Sequence, residues 1–346
     1  MNNRMMAAVL YGKEHLQVEP VAVPTIDRGD ILVRVKVALT CGTDVKVFKR
    51  GYHARMIVPP AVFGHELAGD VVAIGSGVTN FSIGDRVVAA NSAPCEACYF
   101  CQRGLQNLCE DLLFNNGAYA EYIRIPARIV ERNTYKIPDQ VGYQDAALAE
   151  PLACVVRGFE ETNPRPGDTI AIIGLGPIGL MFAKLAKLYG CRVIAVGRRK
   201  TQLERAGALG ADELVVAGEG ADPVRAIREM THGRGVDIAI EAVGQPQTWE
   251  WAVNMVRRGG MVNFFGGCPN ESTVNLDTAL LHYSEITCKA SFHHTPELMQ
   301  KALDHIARGH ITASSFVNRE EPLVRLPEVM QHLMSHNGHL KTAILP

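Results

Sequence analysis

Net charge is almost absent from this chain. Lys and Arg number 35 against 36 Asp and Glu, a formal net charge of -1. That balance leaves no electrostatic footprint for a nucleic acid or an anionic membrane surface. Long runs of one charge, low-complexity tracts and internal repeats are missing too, which excludes disordered tails and solenoid arrays. No uncharged apolar stretch approaches the roughly 20 residues needed to cross a bilayer. Met1–Val9 carries one Arg and no apolar segment of signal-peptide length, so the expectation is a cytoplasmic protein without a membrane partner. The nine cysteines are an odd number in a long chain, which argues against a disulfide framework.

What is present reads as globular. Hydrophobic residues make up 47% and charged residues 21% of 346 positions, close to the average for a soluble globular protein, and the length suits two domains. In the first third, Ile31–Leu39 alternates apolar and polar residues as a half-buried strand does. Residues 69–88 are rich in Val and Ile and broken by Gly75, Gly77 and Gly84, the pattern of an all-β lobe with tight turns. A loop-rich stretch from 89 to 116 holds four cysteines. Beyond Pro164, Pro166 and Gly167 the pattern changes to apolar strands alternating with helices. The strands are 169–173, 192–196, 213–216, 236–240 and 261–265, with a last one at 285–290; the helices are 177–189, 200–209, 223–230 and 248–257. This alternation predicts a doubly wound parallel sheet, hence an α/β chain. The tail from Thr295 reads as two helical stretches and a short final strand that packs back on the first domain.

Gly174-Leu175-Gly176-Pro177-Ile178-Gly179 is a G-x-G-x-x-G motif directly after a strand and opening a helix, the context that makes it a dinucleotide site. The first glycine permits the turn, the second lets backbone approach a pyrophosphate, and the third allows close helix–strand packing. The helix N-terminus then offers free N–H groups to the phosphates. An NAD enzyme usually ends its second strand in Asp or Glu to hold the ribose 2′-hydroxyl. That acid is missing: Gly197 stands there, followed by Arg198 and Arg199. A guanidinium can bind a 2′-phosphate bidentately, which favours NADP(H) over NAD(H). The alternative is a pair of solvated arginines at a helix start, where the helix dipole disfavours cations.

Cys95-x2-Cys98-x2-Cys101-x7-Cys109 offers four thiolates in one excursion, enough to close a tetrahedral shell around a structural zinc. Disulfides and an iron–sulfur cluster are the alternatives. Cys41, His65, Glu66 and Glu150 are also metal-capable, but dispersed, and spacing alone leaves them undecided.

Those dispersed residues carry a resemblance. Gly64-His65-Glu66-x2-Gly69-x5-Gly75-x2-Val78 resembles the signature of the zinc-containing alcohol dehydrogenases of the medium-chain family. Cys41-Gly42-Thr43-Asp44, the four-cysteine stretch, Glu150-Pro151-Leu152 and the glycine motif follow in that family's order, over essentially the whole chain. Glu150, where simple alcohol dehydrogenases place Cys, makes the chain most similar to the polyol (sorbitol) and threonine dehydrogenase branch.

The resemblance implies a GroES-like β-rich catalytic domain at 1–154 and 291–346, with a structural zinc lobe at about 89–116, and a Rossmann dinucleotide-binding domain at 155–290. It implies two zinc ions per chain. Cys41 and His65 would hold the catalytic one, with Glu66, and with Glu150 directly or through water. Asp44 would orient His65, and Thr43 would bond the substrate hydroxyl and begin the proton relay. Many relatives continue that relay with a His where this chain has Lys46, which could instead bind an anion or the cofactor ribose, or be a surface charge. His293-His294 fall where relatives line the cleft, and Lys341 resembles a basic residue that reaches the cofactor pyrophosphate. A homodimer or homotetramer is implied as well.

The activity implied is hydride transfer between NAD(P) and a secondary alcohol or polyol. A threonine- or sugar-phosphate-type dehydrogenase of the same family is the alternative. The zinc-free branch that reduces quinones or enoyl thioesters lacks these ligands. A catalytically silent NADPH-binding protein would show a broken ligand set, and this one is complete.

Overall fold

The computed structural model describes residues 3–53, 55–335 and 340–346. It divides into two compact units, one of Met1–Ala153 with His294–Pro346 and one of Cys154–His293. Among the described residues no helix is long and apolar enough to cross a membrane.

The first unit is mostly β. Its main sheet runs in the order Thr134–Lys136, Arg86–Ala89, Glu66–Ile74, Ile31–Leu39, Lys341–Leu345 and Val317–Pro322, with Tyr122–Ile125 also paired to Ile31–Leu39. Ile31–Leu39 is its centre. Val33, Val35 and Val37 point into the core, Arg34 and Lys36 away from it, and the strand ends fully buried at Val37–Leu39. Both neighbours run antiparallel to it, with Leu39 opposite Glu66 on one side and opposite Ala343 on the other. Two strands therefore begin where the central one ends. That register collects His65, Glu66 and Lys341 around Thr40 and Cys41.

The second unit is a six-stranded parallel sheet in the order Glu213–Val216, Arg192–Gly197, Thr169–Ile173, Val236–Glu241, Val256–Phe264 and Thr287–Ala290. Strand order reverses between Thr169–Ile173 and Val236–Glu241, the switch point at which doubly wound sheets bind dinucleotides. Thr169–Ile173 is buried along its whole length, as its unbroken apolar run predicts.

Two segments depart from the sequence reading. The helix expected to end at 257 stops at Met255, and a strand already begins at Val256. Arg257 is held extended by an ion pair from its Nε to Asp237 Oδ1 at 2.6 Å, and the register slips by a bulge between Val236 and Ile238. Charged residues and two glycines in Arg257–Gly260 hide that strand from any apolar count. Val317–Pro322 lies between the tail helices Pro296–Ala307 and Leu326–Met334 and forms an outer strand of the first unit's sheet. Its Asn-Arg-Glu-Glu sequence has no apolar alternation, and its partner Lys341–Leu345 supplies the order.

Candidate active site

Where the central strand ends, Cys41 caps the Gly42–Arg50 helix. Its Sγ accepts the N–H of Thr43 at 3.5 Å, and its own N–H donates to Asp44 Oδ2 at 3.0 Å, a reciprocal cap that fixes both side chains. Asp44 Oδ1 accepts from His65 Nδ1 at 3.0 Å. That bond sets the tautomer and leaves the other ring nitrogen for Cys41, with which His65 also hydrogen bonds. Burial alone would depress the imidazole pKa, but the charge and hydrogen bond of Asp44 outweigh it and hold His65 well above its ordinary value. Ligand atoms of Cys41, His65 and Glu66 all lie within 4.8 Å of one another.

Glu66 is 0% exposed, and Lys341 Nζ reaches its two oxygens at 2.7 and 2.6 Å. The same ammonium donates to Thr40 O at 3.0 Å. Burial raises the Glu66 carboxyl and the lysine charge pulls it back; burial depresses Lys341 and the Glu66 charge more than restores it. Three N–H donors are thereby committed on a side chain that is 3% exposed. Lys341 is the counter-charge of Glu66.

Glu150 lies in the first turn of the Ala149–Glu160 helix, buried, and that burial pushes its carboxyl up to about 7. It stands outside the Cys41–His65–Glu66 cluster and faces His294 Nε2 at 3.6 Å. His294 is itself buried and hydrogen bonds Asn91 Oδ1 at 3.2 Å, so this histidine belongs to the packing behind Glu150. Thr43 is half-buried beside Cys41, and Lys46 is exposed one helical turn on. Tyr119 was not legible as a site residue, yet its hydroxyl donates to Asp44 Oδ2 at 2.6 Å from a position that is 0% exposed.

The four lobe cysteines are free thiols whose sulfurs lie within 4.8 Å of one another, with Cys95–Cys101 at 4.0 Å and Cys98–Cys109 at 3.9 Å. A tetrahedral zinc with bonds of about 2.3 Å places its sulfurs about 3.8 Å apart. Backbone N–H groups of Ala97 and Cys98 donate to Cys95 Sγ, and that of Cys95 to Cys109 Sγ, as thiolate ligands require. Such donors lower Cys95 and bring Cys98 down to about 6, while burial lifts Cys109 and takes Cys101 to about 12. The donor set fits one ion. A disulfide would need its sulfurs at about 2.05 Å.

In the second unit Gly174 turns at φ +94° and a side-chain carbon at Gly179 would sit 1.7 Å from Gly174 O, so strand and helix approach as no other residue allows. A carbon added at Gly176 meets nothing within 4 Å, which is open room for a pyrophosphate in front of the Pro177–Leu188 helix. Leu175 is buried, and Pro177 and Ile178 open the helix. Gly197 ends its strand against Leu175, whose Cδ1 lies 2.7 Å from where a side-chain carbon would go. Arg198 is exposed, and Arg199 stands at the cap of the Lys200–Ala208 helix without a side-chain bond to it and with no acid in the first turn.

Known proteins share this organisation. The Alcohol dehydrogenase GroES-like domain family matches residues 27–139 and the Zinc-binding dehydrogenase family matches residues 177–308. Sorbitol dehydrogenase of Bacillus subtilis (strain 168) is 31% identical over 99% of this chain and 97% of its own. The chain belongs to the zinc-containing medium-chain alcohol dehydrogenases, in the polyol dehydrogenase branch. L-idonate 5-dehydrogenase of Vitis vinifera is 34% identical over 79% of this chain and 76% of its own. The structure of a zinc-binding dehydrogenase from Sinorhizobium meliloti 1021 bound to NADP aligns with a TM-score of 0.92, at 30% identity over 99% of both chains. This medium-chain dehydrogenase is thus an oxidoreductase that moves a hydride between NAD(P) and an alcohol or its carbonyl counterpart.

Replacing Lys341 by Met in the dehydrogenase leaves Glu66 buried without its counter-charge. A loss of about 3–5 kcal/mol in unfolding free energy is expected, recovered in part by Glu66→Gln in the same chain. Chemical denaturation of the two variants measures it.

Proposed function

We propose that this dehydrogenase oxidises a secondary alcohol or polyol to its ketone, and runs the reverse reduction, with NADP(H) preferred. The observation that carries the reading is the buried Cys41–His65–Glu66 cluster with Asp44 behind the imidazole. In it a thiolate, an imidazole of set tautomer and a carboxylate converge, the donor chemistry of a zinc site. Cys41 and His65 would hold the catalytic ion, with Glu66 and, directly or through water, Glu150 completing its shell. Cys95, Cys98, Cys101 and Cys109 would hold a second ion, making two per chain. When bound, the catalytic zinc supplies a Lewis acid that polarises the substrate oxygen, and the nicotinamide supplies the hydride acceptor or donor.

The chain's own residues then act as follows. Thr43, fixed beside Cys41 by its N–H···Sγ bond, orients the alcohol oxygen, takes its hydroxyl proton and passes its own outward to water. Asp44 keeps His65 in the ligand tautomer throughout. Lys46, exposed on the same helix, is assigned to a substrate anion or the cofactor ribose rather than to the proton path, because an ammonium passes a proton inward only if its pKa is lowered. Gly174 to Gly179 take the pyrophosphate. Gly197 brings no carboxylate to repel a 2′-phosphate, and Arg198 and Arg199, at a helix start with no acid of its own, neutralise it.

Catalysis is assigned to residues 1–154 and 291–346 and cofactor binding to 155–290, a division that the two compact units support. The balanced charge favours a cytoplasmic enzyme. Thr287–Ala290 is an outer strand of the parallel sheet with all four residues exposed, which favours a homodimer built on that edge, or a homotetramer of such pairs.

Reduction of NADP+ across a panel of polyols, threonine, sugar phosphates and simple secondary alcohols tests the reading. A polyol hit is expected, with Cys41→Ala abolishing it and halving zinc content from two ions to one. Activity confined to threonine, or a Cys41→Ala protein that keeps both ions, refutes it. Arg198→Ala should weaken NADP+ by at least tenfold, a loss of about 1.4 kcal/mol, and leave NAD+ nearly unchanged; equal losses would remove the 2′-phosphate role. Light scattering should return twice or four times the 37.7 kDa chain mass, and a monomer would dismiss the edge pairing.

A further inference from the structure

Behind the Cys41–His65–Glu66 cluster stands a phenol that no part of the reaction consumes. Tyr119 is fully buried, and its hydroxyl lies 2.6 Å from Asp44 Oδ2 and 3.1 Å from Leu39 O. One O–H proton cannot serve both acceptors equally. The shorter contact, to an anionic oxygen, is the charge-assisted one. Asp44 is itself 1% exposed and has its acceptor capacity divided three ways: His65 Nδ1 on Oδ1, and Cys41 N and Tyr119 on Oδ2. Without the phenol, one buried carboxylate lone pair would lose its donor, and the aspartate would be held by two donors in place of three.

The ring of Tyr119 does a second job in the same place. Gly64, immediately before His65, has φ +92°, and a side-chain carbon there would lie 2.5 Å from Tyr119 Cδ2. The glycine that opens the Gly-His-Glu motif is therefore glycine because this ring lies flat against its backbone. Main-chain bonds lock the stack. Gly117 N and Ala118 N both donate to Gly64 O, Tyr119 N donates to Phe63 O, and Ala8 N donates to Tyr119 O. Phe63 packs edge-on against the phenol at 5.6 Å between ring centres. One side chain thus grips the backbone that carries His65 and the carboxylate that aims its imidazole.

We propose that Tyr119 is a positioning residue for the catalytic metal site: through Asp44 it holds His65 in the geometry and tautomer that bind the ion. The proposal rests on the ligand assignment above. Its hydroxyl is spent on Asp44 and Leu39, and its effect is on how firmly the ion is held. Partners one step behind a metal ligand typically govern 10- to 100-fold in affinity. Tyr119 lies one step further back, and its removal is expected to cost about tenfold, at the low end of that range.

Tyr119→Phe keeps the ring on Gly64 and deletes only the O–H. Zinc release from the intact protein into a colorimetric chelator reads both ions, and the Cys41→Ala protein supplies the trace of the cysteine-lobe ion alone. In Tyr119→Phe the ion missing from that trace should leave about tenfold faster, with the lobe ion unchanged and thermal stability close to the parent. In an Asp44→Ala background, where the acceptor the phenol serves is gone, adding Tyr119→Phe should change the release rate no further. Parental release rates in Tyr119→Phe overturn the proposal while leaving the ligand assignment intact. An additive effect in the Asp44→Ala background overturns it as well, because the phenol would then act by another route. A parent protein that holds only the lobe ion overturns the ligand assignment and the proposal together.

Discussion

Three carboxylates, Asp44, Glu66 and Glu150, are buried beside His65 with Lys341 as the one ammonium buried among the described residues to balance them. Taking such charges out of water is costly unless each finds a partner. Asp44 finds three donors, Glu66 finds Lys341, and Glu150, facing His294, is pushed up to about 7 by burial. Carboxylates gathered this closely around an imidazole and a thiol form a donor set that suits a divalent cation.

Sheet register is what makes this burial possible. Thr40 and Cys41 follow the central strand, Glu66 starts one neighbour and Lys341 starts the other, so residues 25 and 300 positions apart in sequence meet at one strand end. The helix that begins at Gly42 adds Asp44 through its own cap, an interaction confined to four residues. Long-range pairing supplies the ion pair and local geometry supplies the aspartate. In the second unit the glycine turn likewise depends on contact, because the carbonyl of Gly174 occupies the place where Gly179 has no side chain.

Much of this was legible in the residues. Apolar strands buried on both faces announced the parallel sheet, since Thr169–Ile173 and its neighbours have no polar face to confuse the period. The cysteine quartet was legible because its ligands are local and its alternatives few. The strands Val256–Phe264 and Val317–Pro322 were hidden, wholly or in part, because their order comes from partners across the sheet and their own residues are charged or glycine. Tyr119 was invisible for a related reason: a tyrosine among Ala and Gly carries no signal until the chain returns it to Asp44.

By itself the sequence determined the class of protein, the glycine turn, the cysteine lobe and the identity of the ligands proposed for both ions, because each rests on residue type at short spacing or on motifs in order. The tertiary structure alone decided what those residues face. It paired Lys341 with Glu66, placed Glu150 against His294, and put a phenol behind Asp44. The physical reason is that a buried charge or donor is defined by the partner that satisfies it, and sheet pairing brings that partner from far along the chain.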